Sequence, residues 1–197
     1  MLERVGVPLE VRATDIDESW TDGEDPAAYV ERIAQAKARA AERAPGQWVL
    51  AADTTVTIDG MILAKAADDD EAAAMLRLLS GRVHQVITAF ALLGGEGLKK
   101  VAHWRSVTTD VAFIELDATM IAGYVASGEW RGKAGAYAIQ GIAAAFIREV
   151  HGSVTNVIGL PLVEVLEVLR EAEAQRVGWM PTAPAVPLPN LAAGKPA

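Results

Sequence analysis

The chain has 197 residues, of which 51% are hydrophobic and 22% charged, and its net charge at pH 7 is −8. This length suffices for one sizeable core, and a pI near 4.9 argues against a non-specific nucleic-acid binder, which presents a basic surface. No apolar run reaches the roughly 18 residues of a membrane span, and the absence of cysteine excludes thiolate metal sites and fits a cytoplasmic protein.

The first part of the chain predicts a strand, a helix, a hairpin and a second helix. Residues 7–16 have the pattern of a short strand that leads into an acidic turn. A helix should then run to about Arg43, because Asp25 can cap its first turn and Pro26 suits the first helical position. The next predicted elements are a strand at 48–58, a turn at Asp59-Gly60, a returning strand at 61–63 and a helix at 69–79.

The second part predicts a long hairpin, two more helices and a tail. The hairpin strands cover 83–93 and the stretch that ends near Phe113, with a glycine-rich turn between them. Asp117 should cap a helix that Gly128 ends, followed by a strand at 143–150 and a helix at 161–175. Five of the nine prolines follow Met180. We therefore predict one domain over residues 1–176 and a disordered or polyproline-like tail over 177–197.

Asp53 is the strongest single candidate for chemistry. A carboxylate within an apolar strand costs free energy unless it is paired, protonated or bound to a metal. Thr54 and Thr55 add hydroxyl groups beside it. The alternative is a strand-end aspartate that bonds to a local turn. Glu18, in the acidic turn, could supply a second metal ligand, although solvated acidic turns are more common.

Several cations are candidates for binding phosphate. Lys37 lies on or beside the apolar stripe of the first helix, so its ammonium must either extend to solvent or meet an anion. Lys65 precedes a helix N-terminus, a suitable place for phosphate, although an exposed lysine is the usual explanation. Arg82 and His84 share one face of a predicted strand, where they could approach a polyanion or form a satisfied polar patch.

The decapeptide 132–141 combines three glycines with Lys133, Tyr137 and Gln140. Glycine lets the backbone approach a ligand closely, and Lys133 offers a charge for phosphate. The Gln140 amide offers a paired donor and acceptor for the edge of a base. The alternative is a structural turn with an incidental lysine. Together with the carboxylates and cations, the decapeptide indicates a site for a metal, phosphates and a base.

Five motifs follow one another across about residues 5–170. They are Asp15-Ile16-Asp17-Glu18, Ala52-Asp53-Thr54, Ser80-Gly81-Arg82-x-His84-x-Val86-x-Thr88, Lys133-Ala134-Gly135-x-Tyr137-x-Ile139-Gln140-Gly141 and Gly152-Ser153-x-x-Asn156-Val157-x-Gly159-Leu160-Pro161. In this combination they resemble the Maf family of nucleoside triphosphate pyrophosphatases. The resemblance implies an α/β fold with a mixed sheet, flanking helices and two lobes around a central cleft, akin to inosine triphosphate pyrophosphatases.

The resemblance also implies an activity and roles for individual residues. The reaction is hydrolysis of a nucleoside triphosphate between its α and β phosphates, with Mg²⁺ or Mn²⁺. The Tyr-x-Ile-Gln-Gly form resembles the branch that prefers dTTP and UTP, with modified pyrimidine analogues as further candidates. Asp53 matches the carboxylate that accepts a proton from water, and Glu18 and Asp53 lie where the metal is expected. The residues expected to bind substrate are Lys37, Lys65, Arg82, Lys133, Thr54 and Gln140.

The chain departs from the family pattern at its start. The family normally opens with a strand that leads into Ser-x-Ser-Pro-Arg-Arg, whereas Met1 falls near the end of the helix that follows. We expect the true start to lie upstream; the alternative is a short chain with an unpaired sheet edge and an impaired site. A smaller departure is Lys65-Ala66, where the family usually has Lys-Pro.

The leading hypothesis is a cytoplasmic enzyme that binds no nucleic acid and no membrane, with a homodimer plausible by resemblance. A second hypothesis is a catalytically impaired protein that binds nucleotide or regulates a partner, because Maf-like proteins have been linked to arrest of septum formation. A third is partner binding through the proline-rich tail.

Overall fold

A five-stranded sheet forms the centre of the computed structural model, which describes residues 1–21, 23–94, 101–172 and 174. In chain order the strands are β1 (Val49–Ile58), β2 (Met61–Leu63), β3 (Val83–Gly94), β4 (Val101–Phe113) and β5 (Ile147–His151). They lie in the order β2-β1-β3-β4-β5. The predicted α/β class with flanking helices is confirmed. The sheet was expected to be mixed, but the four strand pairs described are all antiparallel.

Within the described residues, five α-helices flank the sheet: α1 (Pro26–Ala40), α2 (Asp69–Leu79), α3 (Ala118–Ser127), α4 (Val154–Ile158) and α5 (Leu162–Glu171). Short 3₁₀ helices cover Leu2–Val5 and Ile142–Phe146. The predicted caps are confirmed, because Asp25 accepts hydrogen bonds from two backbone amides of α1 and Asp117 accepts one from Met120. Among the helices of the described ranges, none has the length and apolar character that crossing a bilayer requires.

Two predicted strands were wrong in whole or in part. Residues 7–16 form no strand, and Val11 is 85% exposed. Their alternating pattern gives strand propensity, but none of the five described strands pairs with them. Of the strand predicted at 143–150, the first part is a 3₁₀ helix and the strand begins at Ile147. The predicted tail at 177–197 and the turn residues 95–97 lie outside the described residues.

The two faces of the sheet are covered by different elements. On one face, Val30 and Ala34 of α1 form a buried cluster with Ile87 and Ala89 of β3. On the other face, α5 packs against Phe90 and Leu92 of the same strand. The largest cluster extends that second face toward Tyr137 in the glycine-rich decapeptide. The middle of β1 therefore lies between α1 on one side and the decapeptide and α4–α5 region on the other.

One edge of β1 is largely unpaired in the described part of the chain. The strand pairs with β3 along residues 49–57, but β2 covers its other edge only at residues 56–58. A cavity of about 630 Å³ runs beside residues 49–52 of this edge. Lys37 of α1 lines it on one face of the sheet, and Gly159 and Leu160 line it on the other. The cavity therefore joins the two faces.

Candidate active site

Lys37 brings together two of the predicted carboxylates. Its Nζ atom lies 2.7 Å from Oδ1 of Asp53 on β1 and 2.9 Å from Oε1 of Glu18. Glu18 belongs to the segment before α1, and the hydroxyl of Tyr29 donates a 2.9 Å hydrogen bond to its backbone carbonyl. Three residues that the sequence singled out separately thus form one cluster, which we call the Lys37 cluster (Glu18, Lys37 and Asp53).

Lys37 and Asp53 are shielded from water, which changes their proton affinities, whereas the side chain of Glu18 is 39% exposed. The side chains of Lys37 and Asp53 are 20% and 11% exposed. Burial raises the pKa of Asp53, and the ammonium of Lys37 opposes that rise. Burial also works against the charged form of Lys37, but hydrogen bonds to Asp53 and Glu18 hold the pKa of this lysine above its ordinary value. Lys37 therefore remains protonated and favours the ionised form of Asp53.

Thr54 faces the opposite side of the sheet from Asp53, as successive strand residues do. Its Oγ1 atom lies 2.9 Å from Oγ1 of Thr88, its cross-strand partner on β3. The Thr88 hydroxyl donates a 3.0 Å hydrogen bond to the backbone carbonyl of Asn156 in α4. The predicted catalytic residue Asp53 and the predicted substrate-binding residue Thr54 are thus adjacent in sequence but lie on different faces, next to the unpaired edge of β1.

The glycine-rich decapeptide docks beside β2 on the Thr54 face. Gly135 donates its backbone N–H to the carbonyl of Leu63 at 2.9 Å. It has a φ of +66°, and a Cβ atom there would lie 2.9–3.0 Å from the side chain of Val56, so only glycine fits. A β-bridge between Lys65 and Ala134 brings Lys65 next to the segment that carries Lys133. Both lysines are exposed.

The other end of the decapeptide is held by two side chains. The Tyr124 hydroxyl accepts a hydrogen bond from the N–H of Ala138 at 3.1 Å. The Glu129 carboxylate accepts one from the N–H of Ile142 at 2.7 Å and occupies the space that a Cβ atom on Gly141 would need. Gln140 lies between these anchors with its side chain exposed. Gln140 therefore lies on a loop whose position is fixed, and its side chain is accessible to a ligand.

The structure does not bring Arg82 to the Lys37 cluster. The guanidinium of Arg82 forms a 2.6 Å ion pair with Asp59, in the turn between β1 and β2. Asp59 is six residues beyond Asp53, about 20 Å along an extended strand. The fold thus separates this cation from the Lys37 cluster.

His84 forms part of the interior. It is 1% exposed, its Nε2 atom lies 2.8 Å from the Tyr137 hydroxyl, and its ring packs edge-on against Phe113. Burial lowers the pKa of His84 to about 4, so the ring is neutral at pH 7. The sequence left two possibilities open for His84, contact with a polyanion or a polar patch. The structure shows a buried polar contact with Tyr137.

The two carboxylates of the Lys37 cluster have suitable chemistry for a divalent cation. Mg²⁺ prefers oxygen ligands and is commonly held by one or two carboxylates, waters and substrate phosphates. Within the described ranges, no three His, Asp or Glu side chains converge as a metal site. Glu18 and Asp53, which already share one ammonium, are the carboxylates that would hold a magnesium or manganese ion, whose remaining ligands would come from water and a polyphosphate.

Sequence reasoning did not assign a role to three residues of this region: Tyr29, Thr88 and Asn156. Tyr29 precedes Lys37 by eight residues, slightly over two helical turns, so its spacing could have placed it near the same helix face. Thr88 and Asn156 are separated by 68 residues and meet through tertiary packing. No local pattern indicates that contact.

Comparison with known proteins identifies similar chains. The family model described as Maf-like protein matches residues 1–172. A dTTP/UTP pyrophosphatase of Anaeromyxobacter dehalogenans is 48% identical over 172 residues, which are 87% of each chain. One from Sphingopyxis alaskensis is 49% identical over 170 residues, 86% of this chain and 88% of the relative. One from Rhodopseudomonas palustris is 46% identical over 189 residues, 91% of this chain and 90% of the relative.

Proposed function

Since this chain belongs to the Maf family, we propose that it hydrolyses dTTP, UTP and related pyrimidine analogues to the monophosphate and pyrophosphate, with Mg²⁺ or Mn²⁺. The observation that carries the proposal is the Lys37 cluster. Its ammonium lies 2.7 Å from the shielded carboxylate of Asp53 and 2.9 Å from the carboxylate of Glu18. Acids and cations at this spacing suit water activation and polyphosphate binding. The named activity of the relatives supports the same conclusion.

Asp53 is the proposed general base. Its pKa is raised by burial, which brings its proton affinity closer to that of an efficient base at neutral pH. Lys37 orients the carboxylate and keeps it ionised until it takes a proton from the attacking water. A metal ion held by Glu18 and Asp53 would supply charge neutralisation on the phosphates.

Lys65 and Lys133 are the proposed binding groups for the polyphosphate outside the Lys37 cluster. The bridge between Lys65 and Ala134 places them in neighbouring segments, and both side chains are exposed to a ligand. Their charges oppose the repulsion between an acidic protein and a polyanion. Negative charge develops on pyrophosphate as the bond between the α and β phosphates breaks. The same ammonium groups stabilise that charge and so favour departure of pyrophosphate.

Pyrophosphate release from a panel of triphosphates, with Mg²⁺ present, tests the proposal. We expect turnover of dTTP and UTP, and a loss of about 100-fold or more in kcat for Asp53→Asn. Asp59→Asn is the matched control, because Asp59 lies in the turn with a φ of 52° that asparagine tolerates. Absence of turnover with every triphosphate, or full activity of Asp53→Asn, would overturn the assignment.

A non-catalytic nucleotide-binding role is the second candidate. It is favoured by one observation: the ammonium of Lys37 is already engaged by two carboxylates at 2.7 and 2.9 Å. This candidate predicts that UTP binds, as measured by calorimetry, while no pyrophosphate is released. Binding and turnover measured on the same preparation separate the two candidates.

We also propose a cytoplasmic homodimer that binds neither membranes nor nucleic acid. The net charge of −8 supports the absence of nucleic-acid binding, because phosphate backbones repel an acidic surface. Light scattering after size-exclusion chromatography gives the mass in solution, and cell fractionation gives the location. A monomeric mass near 20.8 kDa would contradict the dimer.

A further inference from the structure

The hydroxyl groups of Thr54 and Thr88 form a directed chain of hydrogen bonds. A threonine hydroxyl carries one proton, whereas a backbone carbonyl can only accept. The 3.0 Å contact from Thr88 to the carbonyl of Asn156 therefore uses the Thr88 proton. The 2.9 Å contact between the two hydroxyls is then a hydrogen bond only if Thr54 donates. The reverse direction would leave two oxygen atoms facing each other at 3.0 Å without a proton between them.

The carbonyl at the end of this chain is held in place. Asn156 is 0% exposed, and its side-chain amide donates to the carbonyl of Val86 at 3.0 Å and to the hydroxyl of Thr109 at 2.9 Å. The backbone carbonyl of Asn156 also accepts the N–H of Gly159 at 2.8 Å, at the end of α4. Because three contacts fix this residue, the carbonyl cannot turn away from Thr88.

The Thr54 oxygen is left able to accept but not to donate. Its side chain is partly exposed, and its single proton is directed at Thr88. Gly159 keeps the space beside it open, because a Cβ atom at that position would lie 3.5 Å from the Thr54 oxygen. The φ of +115° at Gly159 disfavours any other residue there. A ligand that reaches Thr54 must therefore present an N–H or O–H group.

We propose that Thr88 is a positioning residue that makes Thr54 an obligate acceptor, and that Thr54 accepts the ring N3–H of the substrate base. This inference rests on the proposed function and extends it to base recognition. Uracil and thymine carry a proton on N3, whereas N3 of cytosine has none and accepts instead. The polarity of Thr54 therefore favours UTP and dTTP over CTP, because CTP would place two acceptors against each other.

The test compares kcat/KM for UTP and CTP in the wild type and in Thr88→Val. Valine removes the Thr88 hydroxyl at nearly constant volume, so the Thr54 proton is released and can be donated to N3 of cytosine. We expect the UTP-to-CTP ratio to fall roughly three- to tenfold, the range of one neutral hydrogen bond. Thr88→Ser, which keeps the hydroxyl, should retain the wild-type ratio. An unchanged ratio in an active Thr88→Val variant would overturn the proposal.

Thr57→Val is the matched control. Thr57 is a buried threonine of β1, the strand that carries Thr54, and it lies on the opposite face of that strand. This variant should leave the ratio unchanged. The 3′-hydroxyl of the sugar is the other donor that both UTP and dTTP carry, and 3′-deoxy-UTP distinguishes it. If Thr54 instead contacts the sugar, the wild type will use 3′-deoxy-UTP less well than UTP, and Thr88→Val will leave the UTP-to-CTP ratio unchanged, which overturns the base assignment.

Two measurements keep the inference separate from turnover and from the folding of the variant. Binding constants for the non-hydrolysable α,β-imido analogues of UTP and CTP give the same ratio in a protein that releases no pyrophosphate. Neutron diffraction from deuterated wild-type crystals locates the hydroxyl deuterium of each threonine directly. A deuterium directed from Thr88 to Thr54 would overturn the inference even if the protein hydrolyses UTP.

Discussion

Lys37 and Asp53 lie 16 residues apart in the sequence, yet the lysine Nζ and the aspartate Oδ1 are separated by 2.7 Å. One belongs to a helix and the other to a strand, so their contact depends on how α1 packs on the sheet. The small residues Ala34 of α1 and Ala89 of β3, the cross-strand partner of Asp53, lie in the buried cluster between α1 and the sheet. The ion pair between Lys37 and Asp53 therefore depends on the packing of α1 against the sheet.

Replacing Lys37 by methionine should lower kcat by about 100-fold or more, because the shielded carboxylate of Asp53 loses the cation that orients and stabilises it. Arg39→Met is the matched control, since Arg39 is an exposed residue of the same helix that contacts Gln35. The pH profile of kcat gives a second measurement. Burial already raises the pKa of Asp53, and loss of the ammonium raises it further. The loss of activity on acidification should therefore begin at a higher pH in Lys37→Met; an unshifted profile would contradict this role.

Acid should destabilise the protein through His84. Burial lowers the pKa of this residue from 6.5 to about 4, although the charge of Asp110 opposes the change. The unfolded state therefore binds its proton first, and stability is full above pH 6.5 and falls as pH decreases toward 4. The expected contribution is roughly 3 kcal/mol. Urea denaturation across this window measures it.

The control for this pH dependence is His151→Gln, because His151 has a side chain that is 70% exposed. His84→Gln should be less stable than the wild type at pH 7, since it loses packing against Phe113 and Tyr137. It should nevertheless lose less stability between pH 6.5 and 4. An equal loss in His84→Gln and the wild type would show that another group is responsible.

Substitution of Gly135 by alanine should cost more stability than substitution of Gly132. Both glycines have φ near +70°, a conformation that costs an alanine roughly 1 kcal/mol. A Cβ atom on Gly132 meets nothing within 4 Å, whereas one on Gly135 meets Val56 at 2.9–3.0 Å. Overpacking of this kind adds roughly 1–3 kcal/mol. Equal unfolding free energies for the two variants would contradict the close contact between the decapeptide and β1.

Asp25→Ala should destabilise the helix that carries Lys37. The Asp25 carboxylate accepts hydrogen bonds from the N–H groups of Ala27 and Ala28 at 3.0 and 3.1 Å. Loss of such a cap costs about 1 kcal/mol. Asp25→Asn keeps the acceptor and should cost much less. Chemical denaturation of the two variants measures the difference, and similar losses in both would show that the carboxylate charge, not the cap, is responsible.

The sequence predicted those elements whose ends carry local signals. Asp25, Asp117 and Gly128 mark helix ends through capping chemistry that operates within four residues. The 7–16 stretch shows the limit of such signals, because a strand needs a partner and strand propensity alone cannot provide one. In the same way, the motifs identified Asp53 and Lys37 as candidates, but only the packing of α1 shows that they touch.

Pairings between distant segments could not be predicted from local patterns. The ion pair of Arg82 with Asp59 spans 23 residues and fixes that arginine at the turn between β1 and β2. The interior position of His84 depends on Tyr137, 53 residues away. Both outcomes are set by tertiary packing, about which composition and periodicity carry no information.

The register of β1 against β3 places Asp53 opposite Ala89 and Thr54 opposite Thr88. A shift of one residue would exchange the two faces of β1. Asp53 would then face the Asn156 side, and Thr54 would face Lys37. An insertion or deletion of a single residue in this strand would therefore exchange the positions of the proposed general base and the proposed base-reading hydroxyl. Both side chains would be present, but each would lie on the wrong face of the sheet.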